Sequence, residues 1–282
     1  MSTELGAFLR ARRGLVRPED AGLRVDGVRR TPGLRREEVA LLAGISADYY
    51  LRLEQGRDRN PSVQVLESLA RVLRLDDAGT DHLLALATPQ PRHRRRVRPE
   101  TVPAGVAMLL GTLGLPAFVE GRFFDVLAAN DLATALSPRI RPGGNRLRDV
   151  FLDPAERALF PDWEGGTARL VAGFRERIGA DTDDPRAVQL VGELSLASDR
   201  FRTLWARHDV KVPVGTHVSF DHPQVGALTL RCEKLAVSGT AGQLLAVHHA
   251  EPGTADAEKL ALLTALVRPA VTPAPARQQS PA

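Results

Sequence analysis

The chain has 282 residues, 43% hydrophobic and 26% charged, an ordinary globular composition and long enough for two domains. Residues 1–98 hold 19 arginines against 13 acidic residues, net +6, and the remainder holds 19 basic against 21 acidic residues, net −2, so a basic partner surface belongs to the front half. The single cysteine, Cys232, excludes an internal disulfide, and the first thirty residues lack the basic, apolar and small-residue succession of a secretory signal, so a cytoplasmic location is expected.

In chain order, Leu5, Phe8 and Leu9 open an amphipathic helix ending near Gly14. Val39 and Leu42 outline a second helix, broken at Gly44, and Ile45, Tyr50 and Leu53 form the buried stripe of a third. Val63, Leu66, Leu69, Ala70 and Leu73 step as a fourth, and Leu83, Leu84 and Leu86 finish a fifth. Residues 1–88 therefore read as an all-α domain. Residues 89–103, rich in proline and arginine without apolar periodicity, read as a linker.

The uncharged run Val102 to Val119 is long enough to raise a membrane reading, but Pro103, Pro116 and three glycines break it, and no span is expected. Beyond it, Phe123 to Ala129 reads as a strand, residues 154–208 carry three helical patterns, and VGTHVSF, GALTLRCEKLAV and QLLAVHHA read as three strands. GGN at 143–145 reads as a turn. A helix over Ala255 to Val267 closes an α+β domain, 104–267, and residues 268–282 read as a disordered tail.

The stretch EEVALLAGISADYYLRLEQG meets the demands of a helix-turn-helix: small Ala40 at the helix contact, Gly44 in the turn, and apolar Val39, Ala43, Ile45, Tyr50 and Leu53 inward. That leaves Ser46, Ala47, Asp48, Leu51, Arg52 and Gln55 on the outward side of the third helix, where base edges of double-stranded DNA are met. Ser46 also suits an N-cap. Arg52 can fork onto guanine or touch phosphate, Leu51 can meet a thymine methyl, and Asp48 can accept from cytosine or complement the helix dipole. Tyr50 reads as core and Tyr49 as a backbone contact. Glu54 calls for a cationic partner, for which Arg13 is the candidate. Arg29, Arg30, Arg35 and Arg36 cluster before the second helix and can supply salt-sensitive phosphate contacts, or form only a solvated basic loop.

RRTPGLRREEVALLAGISADYYLRLEQGR resembles the DNA-binding domain of the phage-repressor-like (xenobiotic response element) regulators, in particular their MmyB-like branch, which has a long arginine-rich insertion before the second helix. FDVLAANDLATAL, LRDVFLDPAERALFPDW and LVGELSLASDRFRTLWARHDV are similar to successive blocks of the MmyB-like ligand-binding domain. One departure is Arg35, where the wider class favours a Ser or Thr cap. The resemblance implies a PAS-like sensor fold whose apolar pocket takes a small hydrophobic effector, fatty-acid-like or otherwise; no metal or other cofactor is expected. Arg122, Asn130, Trp205 and His208 are then candidate polar anchors, against plainer roles: a surface residue for Arg122, a helix cap for Asn130, core for Trp205 and a helix-end group for His208.

Nucleophile elbows, phosphate-cradling glycine loops and His-Glu-x-x-His are absent from the sequence, so no enzyme is expected. His217, His222, Cys232, His248 and His249 form the one metal-like constellation, but His248 and His249 point to opposite faces of a strand. The expectation is a homodimeric regulator, because one recognition helix makes few contacts and paired half-sites add more. The alternatives are a cytosolic, metal-dependent enzyme carrying a DNA-binding domain and a constitutive DNA binder whose back half only dimerises.

Overall fold

Thr3 starts the first helix: its hydroxyl accepts from Gly6 N–H at 3.2 Å and opens α1, Glu4–Leu15, whose Leu5, Phe8 and Leu9 are buried. The computed structural model describes residues 3–23, 29, 31–58, 60–87, 100–179, 181, 184–210 and 216–267. Arg30, most of the expected linker and the tail 268–282 lie outside them.

A 3-10 turn at Glu19–Ala21 lies within the arginine-rich insertion. The insertion then returns across the end of α1. Leu34 N–H donates to Arg13 O at 3.1 Å, and a Cβ on Gly33 would sit 2.5 Å from Gly14 O, so only glycine permits this approach. α2, Arg36–Ala43, ends at Gly44 in the left-handed conformation, φ 70°. Ser46 caps α3, Ala47–Gln55, accepting from Tyr49 N–H at 3.1 Å. α4, Val63–Val72, and α5, Asp77–Ala87, complete the five expected helices around Phe8, Leu9, Val39, Tyr50, Leu53 and Leu69.

The uncharged run does not form one continuous element. It makes α6, Ala104–Thr112, and then β1, Ala117–Glu120. The strand expected from Phe123 begins only at β2, Val126–Ala129, because Phe124 adopts φ 64° in the turn that joins the two strands. α7, Asp131–Leu136, and α8, Arg146–Leu152, follow, the second capped by Asn145 of the GGN turn. Four helices replace the three expected patterns: α9, Pro154–Ala158; α10, Trp163–Ile178; α11, Pro185–Ala197; and α12, Asp199–Ala206. Ser198 ends α11 and caps α12, accepting from Phe201 N–H at 3.2 Å.

The three later strands lie close to where the alternation places them: β3, Thr216–His222; β4, Gly226–Ala236; and β5, Leu244–His249. α13 spans Ala255–Val267. Every pairing is antiparallel, in the order β2-β1-β5-β4-β3. One sheet face packs Ala117, Val119 and Leu245 towards α6. The other carries Phe118, Cys232 and Ala246 into the domain interior.

The two halves touch. Arg12 Nη1 donates to Asp209 Oδ1 at 2.6 Å, and Val210 joins the core cluster of the first domain.

Candidate functional site

α3 divides as its sequence requires. Tyr50, Leu53 and Glu54 are buried; Ser46, Ala47 and Asp48 are exposed; Tyr49, Leu51, Arg52 and Gln55 are half-buried along its outer side. Arg52 pairs with Asp48 one turn back and lies 5.6 Å from the centre of the Tyr49 ring. This i, i+4 pair steadies the guanidinium on the outer face and offsets the acid beside it.

Glu54 is 0% exposed. Arg13 Nε donates to it at 2.8 Å, as expected, and Arg36 Nε at 2.7 Å, with Arg10 at 4.0 Å. Burial pushes the Glu54 carboxyl up, but the Arg13 and Arg36 guanidiniums outweigh it and hold it below the usual carboxylate range. The arginine cluster before α2 is thus partly committed within the domain. Arg29 grips Glu38 through both terminal nitrogens at 2.7 Å and also donates to Gly33 O at 3.1 Å. Glu38 in turn accepts from Arg35 N–H at 2.6 Å, serving the helix start where a Ser or Thr cap is missing. The Arg35 side chain is exposed.

In the second domain a cavity of about 160 Å³ lies between the inner sheet face and α10. Phe118, Phe124, Phe160, Trp163 and Leu170 give it an apolar wall. Its polar part is a charge cluster. Glu120, 1% exposed, accepts from Arg177 and from Lys234 Nζ, the latter at 2.7 Å. Burial alone would raise the Glu120 carboxyl, yet Lys234 and Arg177 hold it down to about 2. One carboxylate therefore faces two cations, and both cations also approach the Phe124 ring, at 4.1 and 5.4 Å.

His248 borders the same cavity at 5% exposure, and its Nδ1 is without a hydrogen-bond partner among the described residues. Burial, followed by Arg146 and Lys234, lowers it to about 3, so the imidazole is neutral. Phe124, in its left-handed conformation, is a strained residue on the cavity wall.

None of the four anchors expected from sequence lines this cavity. Asn130 caps α7, accepting from Ala133 N–H at 2.9 Å, and donates to Leu115 O at 2.8 Å. Arg122 closes the end of α10 through Ile178 O and Asp181, both at 2.9 Å. Trp205 stacks on Phe201. His208 faces Phe8 across the domain boundary, ring centres 6.2 Å apart. Glu120 and Lys234 do not figure among the sequence candidates and His248 only in the metal-like constellation, although the alternation of β4 and β5 carries a signal for Lys234 and His248, polar residues on a strand's inner face.

The histidines do not converge. His222 Nε2 contacts Ala135 O at 2.9 Å and His249 lies 3.7 Å from Glu233, while His217, Cys232 and His248 border one cavity without being grouped to hold an ion. Among the described residues no three His, Cys, Asp or Glu side chains are grouped to hold a metal ion, and no helix is long and apolar enough to cross a membrane.

Comparison with known families assigns both halves. A family model described as a helix-turn-helix domain matches residues 4–83, and one described as the MmyB-like transcription regulator ligand binding domain matches residues 102–263. A search of curated proteins gives no match.

Proposed function

Since the chain belongs to the MmyB-like transcription regulators and is a DNA-binding regulator with a ligand-binding domain, we propose that a small, mainly hydrophobic effector enters the cavity beside α10 and biases operator binding. The observation that carries this reading is the cavity itself: an apolar wall with a few convergent polar groups is the usual make-up of a small-molecule site. Its volume of about 160 Å³ suits a body near the size of benzene. The surplus cation at Glu120 and the neutral His248 Nδ1 suit one polar or acidic end. An antiparallel sheet with helices around such a cavity supports a PAS-like description of the domain.

On the DNA side, α3 enters the major groove. Arg52 reads a base edge, with Ser46, Ala47, Asp48, Leu51 and Gln55 beside it and Tyr49 against the backbone. Arg35 and Arg36, together with Arg30 of the insertion, serve phosphates, and Arg29 steadies them by holding Glu38. The exposed apolar surface of α6, with Met108 71% and Leu109 45% exposed, supports a homodimer that pairs two half-sites. The domain make-up favours a regulator over an enzyme, and DNA as target fits a cytoplasmic protein.

The effector reading is tested by purifying the protein under native conditions, denaturing it and identifying released small molecules by mass spectrometry. A stoichiometric hydrophobic compound, displaced by enlarging Gly166 on the cavity wall, is the expected result. A released compound whose retention ignores that substitution would move the effector site out of this cavity.

A further inference from the structure

α10 is a wall between two spaces. Gly166, Leu170, Gly173 and Arg177 border the cavity, whereas Ala168 and Ala172 line a second cleft, of about 290 Å³, whose far side is Phe8, Arg12 and Gly79 of the DNA-binding domain. Arg169 borders both spaces. Steps of three and four residues put the first set on one helix face and the second set on another.

The contact beyond that wall is thin and contains an unbalanced charge. Besides the Arg12–Asp209 pair, it includes the Phe8 ring against His208, 6.2 Å between centres, and Val210 against the core of the first domain. One turn on from Ala172, Arg175 is 1% exposed and has no carboxylate partner among the described residues. Its Nη2 donates to Trp205 O at 2.7 Å and its guanidinium lies 3.8 Å from the centre of the Trp205 ring, while Nε has no hydrogen-bond partner among the described residues. A buried cation whose direct contacts are a carbonyl and a ring face is unfavourable, and the Glu4 and Asp209 carboxylates offset its burial only in part. His208, three residues beyond Trp205, sits at φ 54°, a strained conformation for this residue. The docked arrangement therefore carries two local penalties at the place where the domains meet, as a breakable interface should.

We propose that α10 transmits occupancy of the cavity to the DNA-binding domain. A molecule pressing on the Gly166 and Gly173 face displaces Ala168 and Ala172 towards Phe8 and Gly79 and opens the Arg12–Asp209 contact. The helix-turn-helix is then released from its fixed orientation, which in a dimer sets the spacing of the two recognition helices. This inference rests on reading the cavity as the effector site.

Spin labels at Val63→Cys and Val188→Cys, exposed positions on α4 and α11, read the interdomain distance in the full chain while Cys232 stays buried. A single narrow distance is expected, broadened by Asp209→Ala. Gly166→Leu should broaden it too, since a Cβ there meets only Arg169 Nη2 at 3.9 Å and the added side chain enters the cavity; Gly166→Ala should not. Arg175→Met should keep the distance narrow even with Asp209→Ala. Benzyl alcohol is the probe molecule, its binding read by ligand-observed NMR: it should bind and broaden the distance in the parent chain and bind at least tenfold more weakly to Gly166→Leu. Should Gly166→Leu fail to fold, the benzyl alcohol arm decides. Binding without a change in distance overturns the coupling and leaves the cavity reading intact. No binding to the parent chain removes the cavity reading and the coupling with it.

Discussion

Glu54→Ala tests whether the arginine cluster is first of all a structural clamp. The carboxylate is fully buried, with Arg13 at 2.8 Å and Arg36 at 2.7 Å, and Arg13 itself is only 13% exposed. Removing one member of a buried pair leaves the other charge without compensation and costs about 3–5 kcal/mol. A domain of this size is stable by roughly 4–12 kcal/mol in all, so the substitution should remove about a quarter of it or more. Two intrinsic features make the assay clean in the full chain. Both tyrosines, Tyr49 and Tyr50, lie in α3, and both tryptophans, Trp163 and Trp205, lie in the second domain. Hydrogen exchange across α1 to α5 should accelerate by orders of magnitude while the urea midpoint followed by tryptophan fluorescence stays nearly fixed. Glu54→Gln should fall between, because it keeps an acceptor but loses the charge. Arg13→Met combined with Glu54→Leu should recover part of the loss, since both charges are then gone. A loss below about 1 kcal/mol on Glu54→Ala, the range of an exposed pair, would refute the clamp.

Arg52→Ala should relax preference at particular operator bases by about 1–3 kcal/mol in binding to a set of single-base operator variants; equal weakening on all DNA would restrict Arg52 to phosphate. Arg35→Gln should lower the salt slope of DNA binding by about 1, whereas Arg29→Gln, by releasing Glu38, should chiefly destabilise the insertion, and hydrogen exchange of α2 separates the two. His82 is lowered to about 4, burial first and Arg175 second. For a base depressed on folding, stability is complete above its ordinary value of 6.5 and is lost as pH falls from 6.5 towards 4. The loss amounts to about 3 kcal/mol at the acid end. His208 and His248, both lowered to about 3 by burial first, lose stability over the same window, so His82→Gln should make the acid loss shallower for the first domain alone, followed by hydrogen exchange of α5, and an unchanged loss there would exclude His82.

Much of the first domain is readable from the chain alone because its determinants are local. The apolar steps of Leu5, Phe8 and Leu9, the Ser46 cap and the Gly44 stop lie within a few residues of the structure they produce. Even the partner of Glu54 follows from an acid placed on the inner edge of a recognition helix. The antiparallel strands are legible for the same reason: a two-residue alternation states which side is buried. Where local signals conflict, the reading loses resolution. The run 102–119 splits into a helix and a strand, and Phe123–Phe124 leave the expected strand to make its turn.

Tertiary structure decides what the charges face. Arg29 turns inward to Glu38 instead of standing in a solvated loop, Lys234 reaches Glu120 across 114 positions of sequence, and Arg12 reaches Asp209 across 197. The cavity likewise belongs to no segment, being the space left when α10 closes over the sheet. Composition and periodicity determined two domains, a recognition helix and the strands of a sheet. The packing of distant elements chose the ion-pair partners and the cavity, because a side chain's energy depends on what surrounds it in space, and sequence order specifies that only for its nearest neighbours.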